Sequence, residues 1–374
     1  MHFLSFIIWD VAPEIFTIGP VTPRWYGLSW ALSFFLGYVL MARFYKWEDV
    51  KIEQLDKLSM NIIIGAVAGA RLGHVLFYQP DYYLDNPIEI LYVWEGGLAS
   101  HGAAIGILLA VYYSVKKFHS HSFLWILDRL VITVALAGFF IRAGNLMNSE
   151  VYGKPTDVSY GFVYAKPSES RLEAAYPEYI EDVEVNAHPG SDTATEALSL
   201  AGLEYRIIFT TESRMEADQA GLFVNTQLRS LFNSYEEIWE NVQLPESLNP
   251  QIAQSPDGTL HASFIANGIP RHPSQLYEGL SYLLIFLLLG GLYLKMMSRT
   301  PVGSLFGLFL SLLFSVRFVV EFFKAPQVGF EEQMALNMGQ LLSIPFIIIG
   351  IFILIRSLRA RKVENNVNPQ QRQK

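Results

Sequence analysis

The sequence lacks cysteine and has few charged residues. Without cysteine, the chain cannot itself supply a disulfide, a thiolate metal site or a cysteine nucleophile. Charged residues make up 17% of the chain, against roughly 25% in an average soluble protein. The net charge of −8 argues against nucleic acid as a partner. Hydrophobic residues, in contrast, reach 51% and gather in long runs.

Seven of these runs have close to the length of about 20 residues that an α-helix needs to cross a bilayer. They cover residues 25–44, 58–78, 98–116, 123–142, 274–294, 303–323 and 338–356. We therefore predict an all-α polytopic membrane protein with seven transmembrane helices. The N-terminal run FLSFIIWDV is too short to cross, and we predict an interfacial segment there.

The charges of the loops predict the orientation, because Lys and Arg collect on the cytoplasmic side of a membrane protein. If the C-terminus is cytoplasmic, the inner segments hold fifteen Lys and Arg residues, whereas the opposite short segments hold only Arg24 and Lys324. Seven spans then put the N-terminus outside. The expected divisions are 1–150 with the interfacial segment and helices 1–4, an insertion at 151–270, helices 5–7 at 271–357, and a polar cytoplasmic tail at 358–374.

The insertion between the fourth and fifth spans lies on the outer side in this topology. Residues 151–270 carry eighteen acidic and six basic residues, so this segment alone exceeds the net negative charge of the whole chain. It also keeps apolar residues such as Tyr205, Ile207 and Phe209, which favours a folded segment over disorder. We predict a small, mixed α/β extracytoplasmic domain.

Several charged residues fall inside or beside the predicted spans, where each costs ~2.5–3.5 kcal/mol on insertion scales and is a functional candidate. Arg71 lies in the second span, and His101 opens the third. Arg142 is followed at i+3 by Asn145, and Arg317 at i+4 by Glu321. Taken singly, His101 or Arg71 could be structural, and Arg317 and Glu321 could simply neutralise each other.

Arginine grips phosphate with two parallel hydrogen bonds, and histidine accepts a proton near neutral pH. The sequence has no G-x-S-x-G motif and no Ser/Lys pair to supply a nucleophile, and it lacks the D-G-x2-A-R spacing of metal-dependent phosphatidyl transferases. A nucleophile would then come from a second substrate. The residues alone favour an enzyme or transporter that handles a phosphate headgroup. A transporter of anionic solutes and a scaffold with an acidic binding domain remain alternatives.

Six blocks in the same order resemble the prolipoprotein diacylglyceryl transferases. RAGNLMNSEVYG at 142–153 is similar to the family signature R-x-G-N-F-x-N-x-E-x-x-G. The other blocks are RWYGL at 24–28, GARLGHVLFY at 69–78, GG-x3-HG at 96–102, HPSQLYEG at 272–279 and RFVVEFFK at 317–324. The departures are Ile141 in place of Gly, Leu146 in place of Phe, and Lys324 in place of a frequent Arg.

This resemblance implies a bacterial inner-membrane enzyme whose active site faces the periplasm. Such an enzyme transfers the diacylglyceryl group of phosphatidylglycerol to the lipobox cysteine of a preprolipoprotein signal peptide, forming a thioether and releasing glycerol 1-phosphate. It implies no metal and no cofactor.

The resemblance also implies roles for individual residues. Arg142 and Arg317 would clamp the phosphate, and His101 would be the candidate base, although a carboxylate could share that role. Tyr26, Arg71 and Asn145 would help to bind phosphatidylglycerol. The expected supporting residues are Asn148, Glu150, Gly153, Tyr277, Glu278 and Glu321.

Overall fold

The computed structural model describes residues 6–19, 21–93, 96–188, 193–194, 199–325 and 334–367. Predictions for residues 1–5 and for the tail beyond residue 367 lie outside these ranges. The chain forms two compact units, each described separately below. The first comprises Met1–Ser29, Ile141–Gly279 and Val319–Met338, and the second Trp30–Phe140, Leu280–Phe318 and Gly339–Lys374.

Helices account for most of the described chain. In order they are α1 Trp25–Trp47, α2 Ile52–Phe77, α3 Pro80–Asp85, α4 Ser100–Lys117, α5 Phe123–Met147, α6 Lys166–Ala175, α7 Ala217–Phe223, α8 Arg229–Ser234, α9 Glu236–Trp239, α10 Ser274–Met296, α11 Ser304–Val320 and α12 Met338–Val367. The strands are β1 Ile7–Trp9, β2 Phe162–Tyr164, β3 Ile180–Ala187, β4 Thr193–Ala194, β5 Ser199–Phe209, β6 Val242–Gln243, β7 Gln251–Gln254 and β8 Leu260–Gly268.

Five helices within the described ranges are long and apolar enough to cross a membrane. They include α1, α2, α5, α10 and α12, with the apolar stretches of the last two running over Ser274–Arg299 and Met338–Arg361. The remaining two predicted spans correspond to α4, with 18 residues, and α11, with 17. α11 also ends at Val320, so Glu321 lies just beyond the helix on which the sequence spacing put it.

In the second unit, α2 and α4 lie in backbone contact. A Cβ added at Gly65 would come within 2.6 Å of the Gly106 carbonyl oxygen, and one at Gly106 within 1.9 Å of the Gly65 oxygen. The contact continues along the helices at Gly69 and Gly102. Small residues permit this approach, which provides dispersion contacts in a bilayer where no hydrophobic force joins helices.

The apolar core of this unit encloses an ion pair between α5 and the end of α1. The Arg129 side chain is fully buried, and its Nε and Nη2 bind both carboxylate oxygens of Glu48 at 2.7–3.0 Å. Nη1 donates to the Trp125 carbonyl at 3.1 Å. The guanidinium also lies 4.1 Å from the centre of the Trp125 ring. Every nitrogen of Arg129 therefore has an acceptor.

The first unit contains a six-stranded sheet. Its order is β3-β5-β8-β6, with β4 added to β5 and β7 to β8, and all of these pairs are antiparallel. Alternate residues of β5 and β8, including Tyr205 and Phe264, are buried in one apolar core with residues of α6 to α9. Most of the described strands and helices between residues 162 and 268 share this core, and residues 151–270 are called the head below.

Ile7–Trp9, within the N-terminal run that the sequence predicts as interfacial, form the strand β1. β1 pairs in parallel with β2, with Ile7 opposite Phe162 and Trp9 opposite Tyr164. Trp9, Phe162 and Tyr164 then pack with Leu146 in a small apolar cluster. This cluster lies beside the end of α5, where the family-like signature begins.

Candidate active site

The last turn of α5 and the turn after it carry a chain of polar contacts. Arg142 Nη1 donates to Asn145 Oδ1 at 3.0 Å, as the i, i+3 spacing on a helix allows. Asn145 Nδ2 is 3.4 Å from Glu150 Oε2, and Asn148 Nδ2 donates to Glu150 Oε1 at 3.1 Å. Four residues of the signature therefore act as one connected group.

Glu278 joins this group to a distant part of the sequence. Its fully buried carboxylate forms ion pairs with Arg142 Nε and with Lys324 Nζ, the latter at 2.9 Å. Lys324 Nζ also lies 3.4 Å from Glu321 Oε1, and Asn337 Nδ2 donates to Glu321 Oε2 at 3.1 Å. Two cations and two anions thus compensate one another in this cluster.

Arg142 keeps donor capacity beyond these contacts. Its side chain is 18% exposed, and among the described residues its Nη2 has no hydrogen-bond acceptor. Glu278 at Nε and Asn145 at Nη1 fix the plane of the guanidinium. The fixed plane leaves Nη2 available to an anionic ligand such as a phosphate.

In the turn between α5 and Gly153, two residues have backbone conformations that residues other than glycine seldom adopt. Ser149 has φ of 54° and Val151 has φ of 59°. The left-handed region is particularly unfavourable for a β-branched residue such as Val151, and strain of this kind persists only where surrounding contacts impose it. Here Ser274 Oγ donates to the Val151 carbonyl at 2.7 Å, and Gln275 Nε2 to the Glu150 carbonyl at 2.6 Å.

Gly153 brings three segments of the site together. Its amide donates to the His272 carbonyl at 2.8 Å, and the next amide, of Lys154, donates to the Phe323 carbonyl at 2.8 Å. A Cβ at Gly153 would lie 2.5 Å from the Phe323 oxygen and 2.7 Å from His272. Only glycine fits between the segments that lead to Glu278 and to Lys324.

Tyr277 and Tyr26 lie beside this group. The Tyr277 hydroxyl is 3.0 Å from His272 Nδ1. Burial lowers the pKa of His272, which favours its neutral imidazole at neutral pH. Tyr26 packs on Gly144, where an added Cβ would come within 2.9 Å of the Tyr26 ring.

Arg71 belongs to the second unit and has a different environment. Its guanidinium donates to the backbone carbonyls of Glu89, Ile90, Gly96 and Gly97 at 2.5–3.3 Å. It also lies 4.9 Å from the centre of the Tyr83 ring. Arg71 therefore fastens the segment between α2 and α4, and its three nitrogens already have acceptors.

His101 and Arg317 also lie in the second unit. His101 is exposed in the first turn of α4, with its ring 5.2 Å from Phe77 and 6.0 Å from Tyr78 between centroids. Arg317 lies in the last turn of α11. The first unit thus gathers Tyr26, Arg142, Asn145, Asn148, Glu150, Gly153, Tyr277, Glu278 and Glu321, and the second holds Arg71, His101 and Arg317.

Lys324 and Asn337 were absent from the predicted site. Lys324 ends the RFVVEFFK block, so its position was visible, but its pairing with Glu278 has no spacing signal in the sequence. Within the described ranges, no group of three or more His, Asp or Glu side chains could hold a metal ion.

The comparisons with known proteins agree on one family. The model of the family described as prolipoprotein diacylglyceryl transferase matches residues 13–356. The chain is 35% identical to the phosphatidylglycerol–prolipoprotein diacylglyceryl transferase of Tolumonas auensis, over 95% of this chain and 99% of that protein. Proteins with the same name from Chloroherpeton thalassium and Porphyromonas gingivalis are 33% and 31% identical, over 96% and 95% of this chain and 97% and 96% of their own.

Proposed function

The chain belongs to the prolipoprotein diacylglyceryl transferase family, and we propose that the polar group at the end of α5 carries its transfer reaction. It is a membrane enzyme that acts in bacterial lipoprotein maturation. The substrates are phosphatidylglycerol and a prolipoprotein, as the names of its relatives state. The acceptor atom in this proposal is the thiol of the lipobox cysteine, because the enzyme has no cysteine of its own.

The proposed reaction is a substitution at the glyceryl carbon that bears the phosphate. The substrate thiol loses its proton to a base, and the thiolate sulfur attacks this carbon. A carbon–sulfur bond forms while the carbon–oxygen bond to phosphate breaks, with its electron pair going to the oxygen. Glycerol 1-phosphate then leaves with one more negative charge than the phosphate diester had. Catalysis therefore requires cationic donors at the phosphate.

Arg142 is the residue best prepared for this task. The observation that carries the proposal is that Glu278 and Asn145 fix its guanidinium while Nη2 retains donor capacity. A donor held in place before the reaction costs no reorganisation when charge develops on the leaving group. Lys324 shares Glu278, so it limits the negative charge that the approaching phosphate meets.

The other candidate residues complete the proposal. Arg317 is the second phosphate clamp and His101 the base for the thiol, whose free pKa of about 8.5 needs only modest assistance. Tyr26 and Asn145 contact phosphatidylglycerol. Asn148, Glu150, Gly153, Tyr277 and Glu321 support the site. Arg71 contributes by holding the backbone at Glu89, Ile90, Gly96 and Gly97 through its carbonyl contacts.

The proposed topology has seven spans, with α4 and α11 added to the five longer helices. The N-terminus and the 151–270 head face outward, and the C-terminus is cytoplasmic. Since the chain has no cysteine, single introduced thiols report their side of the membrane without background. A Ser247→Cys variant should react with an impermeant thiol reagent in intact cells, and Ser120→Cys should be protected. The reverse pattern would overturn this orientation.

A gel-shift assay tests the function directly. The purified enzyme is incubated with phosphatidylglycerol and a lipobox peptide, and the diacylglyceryl-peptide is detected by its changed mobility and mass. A peptide with serine in place of the cysteine is the control and should stay unmodified. Absence of product from the cysteine peptide, with folded enzyme in a phosphatidylglycerol bilayer, would refute the proposal.

A further inference from the structure

The N-terminal strand β1 lies outside the range that the family model matches, which begins at residue 13. It is nevertheless firmly attached to the chain after α5. Ile7 N donates to the Gly161 carbonyl at 2.9 Å, and Ala165 N to the Trp9 carbonyl at 3.3 Å. The strand therefore has a fixed position beside β2.

Trp9 connects this strand to the end of α5. Its indole Nε1 donates to the Leu146 carbonyl at 2.9 Å, and its ring lies 5.3 Å from that of Phe162. Leu146 follows Asn145 in the last turn of α5, where carbonyl oxygens lack the i+4 amide of a continuing helix. The Leu146 carbonyl accepts from the Ser149 amide at 3.0 Å, and the Trp9 indole is its second donor.

The residues after Leu146 need such fixation. Ser149 and Val151 hold left-handed backbone conformations, and the polar chain Arg142–Asn145–Glu150 crosses this turn. Gln275 and Ser274 hold the far side of the turn through the Glu150 and Val151 carbonyls. Trp9 holds the near side, so the two sets of contacts enclose the strained segment.

We infer that Trp9 is a positioning residue: its indole N–H fixes the end of α5 and thereby the orientation of Arg142 and Asn145. The inference rests on the proposed function of this site. It assigns the N-terminal strand a part in the transfer reaction, through the helix end and without contact to the reacting atoms.

Replacing the indole N–H while keeping the ring tests this role. Benzothienylalanine at position 9 has sulfur in place of N–H and preserves the shape of the side chain. Because a single hydrogen bond contributes modestly, we expect kcat to fall about three- to tenfold, with KM for peptide and phosphatidylglycerol unchanged. Trp9→Phe should have a similar effect, and reincorporated tryptophan should restore the full rate.

The same change at an exposed site is the matched control. Trp239 on α9 is about half exposed at 49%, so Trp239→Phe should leave kcat unaltered. Hydrogen exchange provides a readout that does not depend on turnover: the amides of Ser149 and Glu150 should exchange faster in the position-9 variants alone. Either unchanged kcat or unchanged exchange in the benzothienylalanine protein would overturn the inference.

The two proposals fail in different ways. If the unmodified enzyme forms no diacylglyceryl-peptide, the proposed function is wrong, whereas the exchange of Ser149 and Glu150 still reports on Trp9. If the unmodified enzyme is active and the position-9 analogue is equally active, only the positioning role is wrong.

Discussion

Two arginine–glutamate pairs in the described chain differ in whether the guanidinium group has a nitrogen donor left for a ligand. Arg129 in the second unit binds Glu48 with two nitrogens and the Trp125 carbonyl with the third, and its side chain is fully buried. Arg142 in the first unit is held by Glu278 and Asn145, but its side chain is 18% exposed and Nη2 is available.

The difference separates a structural ion pair from a binding site. Burying an ion pair is costly, and the cost is recovered only when the remaining donors and acceptors are also satisfied. Arg129 meets this condition within the protein, so nothing remains for a ligand. Arg142 is oriented by the protein and would be completed by substrate. Disrupting the Arg129–Glu48 pair should therefore lower stability and spare turnover, whereas changing Arg142 should lower turnover and spare stability.

The largest effect is expected at the saturated pair. Glu48→Gln leaves Arg129 buried without its counter-charge, which typically costs about 3–5 kcal/mol of unfolding free energy. Turnover per folded molecule should stay near normal. Steric trapping in bicelles measures the first quantity, and the gel-shift assay measures the second. A loss below about 1 kcal/mol would show that water or lipid compensates Arg129.

At the unsaturated pair the loss should appear in the rate. Arg142→Lys can still pair with Glu278, so unfolding should change little, but lysine lacks the planar fork that fits phosphate. We expect diacylglyceryl transfer to slow about a hundred- to a thousandfold, as for the loss of one donor to developing charge. Arg129→Lys is the control and should retain turnover per folded molecule. Near-normal rates in Arg142→Lys would remove this residue from the phosphate site.

A third change disturbs the surroundings of the Arg142–Glu278 pair without altering any charge. In Gly153→Ala the new methyl group would meet the Phe323 carbonyl and His272, displacing the segment that carries Lys324. Overpacking of this kind typically costs about 1–3 kcal/mol, and we expect transfer to slow about tenfold or more. Gly221→Ala on α7 meets no atom within 4 Å and serves as the control. Equal rates in the two variants would contradict the bridging role of Gly153.

The smallest effect concerns Glu169, a buried carboxylate in the head that belongs to neither of these two pairs. Burial raises the pKa of Glu169 from 4.5 to about 7, although Lys166 Nζ lies 2.6 Å from its Oε2. The folded state therefore holds this proton more tightly than the unfolded state, so the contribution of Glu169 to stability is fully present below pH 4.5 and is lost as the pH rises through about 7.

Hydrogen exchange of α6 measures this dependence in the full chain. Between pH 5 and pH 8, after correction for the intrinsic rate, the opening of α6 should become more frequent in the unmodified protein. Glu169→Gln removes the titrating group and should flatten the profile. A profile that is equally steep in the variant would assign the dependence to another group, such as Glu173, whose pKa burial also raises.

Local spacing predicted part of this site from the sequence. The i, i+3 relation of Arg142 and Asn145 gave a real hydrogen bond, because α5 continues through both residues. For Glu321 the spacing indicated less of its environment. α11 ends at Val320, and the Glu321 carboxylate contacts Lys324 and Asn337, which the i, i+4 spacing to Arg317 does not predict.

Contacts to the backbone and between distant segments could not be predicted. The family resemblance implied that Arg71 helps to bind phosphatidylglycerol, and the residues alone left a structural role open. The acceptors of Arg71 are carbonyls of a loop whose path has no signature in side-chain chemistry. Trp9 was likewise missed, since its partner Leu146 lies 137 residues away and the short apolar run gave no sign of a parallel strand.

The backbone contact between α2 and α4 restricts how these two helices can change over evolutionary time. A larger residue at Gly65 or Gly106 would collide with the main chain of the opposite helix, and no second substitution can shrink a carbonyl group. At most packed positions, a second mutation can compensate for the first and both residues can change over time. At Gly65 and Gly106 such compensation is not possible. Divergence in this part of the protein is left to the faces of α2 and α4 that point away from each other.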